Sequence, residues 1–198
     1  MFERFLGSFR LLPAGQSPSV AWRDEVLLGA AGYSELAAVL AGCSVENGLY
    51  RLHSADSGPP AAALAAEAFP EFAARATPFG YDWLGRQFAL DTGRVDGGEP
   101  LVLMLEPGTG EALEIPAGFA AFHNEVMVDL RDAALASTFF ASWASSDAGA
   151  LPLSANECVG YRVPLFLGGS DTLENLEVVD LAVYWSLSGQ LRLGAAGD

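Results

Sequence analysis

The strongest constraint in the chain is a run of five apolar residues, Leu101 to Leu105 (LVLML). A run without alternation offers no face to water, so it predicts an inner β-strand buried on both faces. Pro107-Gly108-Thr109-Gly110 then turns the chain, and Glu111 to Ile115 reads as the strand that pairs back. Upstream, Tyr81 to Thr92 reads as a strand pair, or one strand bent at Gly85, and Gly93 to Pro100 as a hairpin loop. Leu49, Tyr50 and Leu52 begin a further short strand behind the turn signal Glu46-Asn47-Gly48.

Helical segments surround these strands. Trp22 to Leu28 and Ser34 to Leu40 are separated by Gly29 and Gly32, with Ser34 at a helix start and Gly42 as a stop. The alanine-rich run before Phe69 and Phe72 carries Pro59 and Pro60 in its first turn, where their missing N–H groups have no helical partner to lose. Asp129 to Ala144 predicts the clearest helix, capped by Asp129 or Asp132 and striped with Leu135, Phe139, Phe140 and Trp143. The N-terminal segment reads as an opening helix ended at Pro13. Together the elements predict an α+β fold, a mixed, largely antiparallel sheet with helices packed on one side.

The stretch from Tyr161 to Leu191 has three parts. Arg162 to Leu167, with Pro164, suits an edge strand. Gly168-Gly169 then permits a sharp reversal, and the polar residues Ser170, Asp171, Thr172, Glu174 and Asn175 follow. Finally Leu181, Tyr184, Trp185, Ser188 and Leu191 recur at spacings of three and four, favouring a half-buried helix while leaving a strand open. The order PLFLGG, ENLE and a segment ending in GQL resembles the C-terminal domain of type VI secretion immunity proteins. Asn47 to His53 and Pro78 to Asp91 are similar to the GAD-like domain that usually precedes it in that family. The resemblance implies a GAD-like part over residues 1–120 and an immunity-type part over 121–198, within one continuous body whose two parts share a sheet. It implies no cofactor, and a cognate secreted toxin as partner, with DNases among the toxins such proteins neutralise.

Charge narrows the partner classes. Twenty-five acidic residues face ten basic ones, all arginine, for a formal charge of −15. The imbalance is concentrated after residue 80, where net charge is −12. Such a field disfavours nucleic acid and anionic membrane surfaces and speeds encounter with a basic protein, although solubility alone would also account for it. No apolar run reaches the roughly 18 residues of a membrane-spanning helix, and Glu3 with a broken apolar run argues against a signal peptide, so the expected location is cytoplasmic. Cys43 and Cys158 are too few for a disulfide framework and match no zinc spacing.

No strong catalytic motif stands out. His53 and His123 are the only histidines and form no metal-binding pattern. A Gly168 to Asp171 anion nest would lack the phosphate-loop lysine, and Asp171, Glu174 and Glu177 depart from the EF-hand spacing, so no metal site is assigned. Three functions remain in order of preference. The first is a non-catalytic immunity protein gripping its toxin through the acidic loop Asp91 to Glu99, including Asp96, and the turn Ser170, Asp171, Glu174 and Asn175, both expected to be exposed. The second is a small-ligand or protein-binding regulatory module with a pocket lined by Trp83, Phe88, Tyr161 and Trp185. The third is a hydrolase-type enzyme using His123. Oligomeric state is left open.

Overall fold

The computed structural model describes residues 1–195. The chain opens with α1 (Glu3–Ser8), α2 (Glu25–Gly29) and α3 (Tyr33–Leu40). It then enters β1 (Ser44–Val45) and β2 (Tyr50–Leu52), crosses α4 (Gly58–Ala68), and forms β3 (Ala76–Asp82), β4 (Gln87–Asp96), β5 (Glu99–Glu106) and β6 (Glu111–Ile115). These six strands make one sheet in sequence order, β1 to β6, with every ladder antiparallel and a single parallel bridge between Ala41 and Leu52. The antiparallel α+β architecture is the one expected.

β5 is buried on both faces, as its apolar run requires, with Val102, Leu103, Met104 and Leu105 all in the core. The loop expected over Gly93 to Pro100 is shorter in fact. β4 runs on to Asp96, Asp96 pairs with Glu99, and only Gly97 and Gly98 turn the chain, at φ of 57° and 89°. Positive φ at both central residues matches the right-handed twist of a hairpin, and glycine adopts it without strain.

Strand alternation sorts the two faces. Phe88, Leu90, Val102 and Met104 join Phe79 on the face that carries the larger core. That face is covered by α1 to α3 and by the helical run α5 (Phe119–Ala121), a π-turn (Phe122–Val126), α6 (Met127–Asp129), α7 (Arg131–Leu135) and α8 (Ser137–Ala144). The helix expected to run unbroken from Asp129 to Ala144 is therefore interrupted at Leu130 and again at Ala136, which sits at φ 46°. Asp132 steadies the second break by accepting the Thr138 N–H at 2.7 Å. The stripe survives the break, since Phe139, Phe140 and Trp143 still pack on Trp83.

β7 (Glu157–Tyr161) and β8 (Leu176–Asp180) form a separate antiparallel pair, followed by α9 (Leu181–Ala195). The C-terminal part thus has its own two-stranded sheet instead of sharing the large one. It docks onto the turns of the large sheet: Val159 N–H donates to Trp83 O at 2.7 Å, Trp185 Nε1 to Gly85 O at 2.7 Å, and Arg192 Nε to Gly110 O at 2.7 Å. Helices lie on both faces, because one-sided cover describes only the larger layer. α4 and α9 add a smaller one opposite, where Ala65, Ala68, Phe69, Leu103, Leu105 and Trp185 cluster.

Candidate functional site

The segment expected as an edge strand, Arg162 to Leu167, is instead a bend followed by a single 3-10 turn over Leu165–Leu167. Pro164 cannot continue a ladder, and its carbonyl accepts the N–H groups of Leu167 at 3.0 Å and Gly169 at 3.1 Å. Gly168 reverses the chain at φ 87°. At Gly169 a Cβ would lie 1.9 Å from the Val163 carbonyl oxygen, so only glycine fits the close approach. Because the amides of Gly168 and Gly169 already bond to Leu165 and Pro164, the turn presents no anion nest.

Of the polar turn, Ser170, Asp171 and Glu174 are exposed and Asn175 is not. Asn175 is 8% exposed. It accepts the Val163 N–H at 3.0 Å and donates to Val163 O at 2.8 Å and Ser170 O at 2.9 Å. The expectation of a contact residue there is corrected: Asn175 clamps the hinge, since a loop that folds back without a strand partner needs a side chain to satisfy its backbone. Asp171 accepts the Tyr161 hydroxyl at 2.7 Å. Burial first, and that carboxylate second, push the Tyr161 phenol far above its ordinary range. Glu177 pairs with Arg162 at 3.4 Å, so the three carboxylates weighed as calcium ligands are not gathered together, and no metal-binding cluster occurs among the described residues.

The acidic loop needs a similar correction. Asp96 is exposed at the hairpin tip, while Glu99 is half-buried and accepts the Ala31 N–H at 3.2 Å. Asp91 is fully buried, because alternation from Phe88 and Leu90 turns it to the opposite face of the sheet. There Arg75 Nε comes within 3.3 Å of its carboxylate and the Gly93 N–H donates to it at 2.9 Å. The surface left by the two expected patches is Asp96, Ser170, Asp171 and Glu174, with Glu99 at its margin.

His123 does not face a cleft. It is fully buried among Phe2, Phe5, Tyr50, Phe79, Phe119 and Phe122. Its Nδ1 donates to Phe119 O at 2.8 Å and its Nε2 meets the Tyr50 hydroxyl at 3.0 Å. Burial drives its pKa down to about 4, against a weaker upward pull from the Phe119 carbonyl. His123, weighed for a hydrolase only in the last of the three readings, is thus a neutral core residue.

His53 is different, although burial also brings it down to about 4. Its ring stacks on Tyr81 with centroids 5.0 Å apart, and its Nε2 lies 2.8 Å from Gln87 Oε1. These groups line a cleft of about 210 Å³ between α4 and the start of α9, closed by Ala155, Asn156 and Trp185. The pocket expected around Trp83, Phe88, Tyr161 and Trp185 is not formed: Trp83 and Phe88 belong wholly to the core, and of the four only Trp185 reaches this cleft. The alternation that puts Tyr81 and Gln87 on one face is a signal for this cleft, but its cover comes from residues far apart in sequence.

Residues 144–192 match the family model described as T6SS immunity protein Tdi1, C-terminal. No curated protein matches the chain significantly. Among solved structures, Atu4351 from Agrobacterium tumefaciens has the same fold, with a TM-score of 0.66 at 15% identity over 96% of this chain and 89% of that one. The matched residues contain β7, the glycine hinge, β8 and most of α9. Over that stretch, about a quarter of the chain, residues 144–192 are similar to the C-terminal domain of the type VI secretion immunity protein Tdi1.

Proposed function

We propose that this chain is a non-catalytic immunity protein that binds a cognate secreted toxin and blocks it. The observation that carries the reading is the family match over residues 144–192, which implies toxin binding as the family's work. The formal charge of −15 supports a toxin with a basic surface, and a nuclease, whose substrate is a polyanion, supplies one. Asp96, Asp171 and Glu174, exposed on two projecting turns, are the contacts proposed, with Ser170 beside them. Residues 1–120 act as the GAD-like platform that holds the C-terminal unit by its turns. The same charge argues against nucleic acid or anionic membranes as partners. No helix among the described residues is long and apolar enough to cross a membrane, and the proposed compartment is the cytoplasm.

Co-expression with a candidate toxin from a neighbouring gene is the test. Rescue of growth together with co-purification of the pair is the expected result, and survival without any complex contradicts it. The cleft beside His53 favours a second property, ligand binding.

A further inference from the structure

The cleft at the seam between the large sheet and the C-terminal unit shares no residue with the acidic turns assigned to the toxin. Its walls are apolar, with Pro60, Ala61 and Leu64 of α4 facing Leu181 and Trp185 of α9, and Tyr81 beside them. Its size of about 210 Å³ falls below the ~300–1,000 Å³ that encloses a drug-sized ligand. One aromatic ring with a short substituent fits; a nucleotide does not.

Polarity is confined to the floor and the mouth. At the floor, Ser57 Oγ accepts the Ser54 N–H at 3.0 Å and lies 3.1 Å from His53 Nδ1. A neutral His53 that accepts the Ser57 proton at Nδ1 donates from Nε2 to Gln87 Oε1. This leaves the Gln87 amide N–H groups without a partner among the described residues, on a side chain that is 2% exposed and faces the cleft. An unpaired donor at the floor of the cleft favours an acceptor on whatever enters. At the mouth, Asp56 and Asp180 are exposed, and Asp180 also caps α9 through the Ala182 and Val183 N–H groups at 3.0 Å. Two carboxylates at the opening favour a cationic outer end.

We propose that this cleft binds a hydroxylated aromatic group with an amine at its outer end: the ring between α4 and α9, the oxygen accepting from Gln87, the ammonium beside Asp56 and Asp180. A free arylalkylamine and a partner's tyrosine flanked by a basic residue both present this chemistry.

The test titrates tyramine, 4-methylphenol and phenethylamine into the full chain, followed by ligand-observed NMR. Tyramine binds best, and removal of the hydroxyl or the ammonium each weakens binding by about fivefold, the order expected for one such contact. Gln87→Met erases the preference for the hydroxyl, Asp56→Asn reduces the preference for the ammonium while Asp180 remains, and Ala182→Leu at the exposed mouth blocks all three ligands. Asp56→Asn and Ala182→Leu alter exposed side chains and keep the test decisive if Gln87→Met does not fold. No saturable tyramine binding up to about 10 mM, poor even for a fragment, overturns the proposal, as does binding that Ala182→Leu leaves unchanged. Mass spectrometry of the purified protein identifies a free source by an aromatic amine carried with it. A partner's tyrosine is identified when the toxin displaces tyramine and Ala182→Leu weakens the complex.

Discussion

Replacing Asn175 by alanine removes three hydrogen bonds at once, those to Val163 N–H, Val163 O and Ser170 O at 3.0, 2.8 and 2.9 Å. Each such bond contributes about 0.5–1.5 kcal/mol net. The turn lies near the surface, so water recovers some of the freed groups, and the loss comes to about 2–4 kcal/mol. At ~2–4 °C per kcal/mol for a chain of this length, the Tm falls by roughly 10 °C. Urea titration and calorimetry measure the loss, and hydrogen exchange locates it: the Val163 amide, protected in the parent, exchanges freely in the variant. Asn175→Asp separates geometry from shape, since it keeps the acceptor for Val163 N–H but sets a carboxylate against two carbonyl oxygens, so it does not rescue. A loss under about 1 kcal/mol with the Val163 amide still protected refutes the reasoning, because a surface polar group of no structural consequence gives that result.

Gly169→Ala sets a methyl 1.9 Å from the Val163 carbonyl oxygen, a backbone atom, and destabilises the hinge by more than the matching change at Gly168, whose surroundings are open; equal losses in urea titration contradict this. His53 and His123 are held near 4 by burial. Their folded pKa lies below the unfolded value of about 6.5, so the unfolded chain binds more protons as pH drops. Stability is therefore full above pH ~6.5 and is lost as pH falls from there toward 4, on the order of 3 kcal/mol per histidine; urea midpoints at pH 7.5 and 5 check the sign. His123→Phe gives up the bonds to Tyr50 and Phe119 O, costs about 1–3 kcal/mol, flattens that pH slope and leaves toxin protection by the folded protein intact. Loss of protection at full folding points to chemistry at His123.

The parts of this fold that were legible are those where local pattern and tertiary cover agree. LVLML had to be a covered strand, and PGTG with EALEI had to return beside it. The closing helix was readable too, but its buried face is Tyr184, Trp185, Ser188 and Gly189, while Leu191 is 45% exposed. Elements that escaped the sequence depend on distant partners. The break at Ala136 leaves no local mark, because alanine is a strong helix former and its positive φ is imposed by packing around Trp83 and by the Asp132 cap. β7 and β8 are short, and Cys158, Val159 and Gly160 carry little pattern until they meet the turn at Trp83. Asp91 is a matter of strand parity: once Phe88 and Leu90 are set inward, Asp91 must share the face of Gln87. Of the proposed contact surface, exposure was legible at Asp96, Ser170, Asp171 and Glu174, whereas the cleft at His53 arises only when α4 and α9 meet.

The most direct measurement is the affinity and association rate of the purified protein for the cognate toxin, at low and high salt, for the parent and for the triple variant Asp96→Lys, Asp171→Lys and Glu174→Lys. These residues are exposed, so the variant should retain the fold, as circular dichroism and its melting curve verify. The expected result is a stable complex whose association slows as salt rises, with a slower rate and at least tenfold weaker binding in the variant. A complex indifferent to both salt and charge reversal, or no complex at all, contradicts an acidic surface gripping a basic toxin.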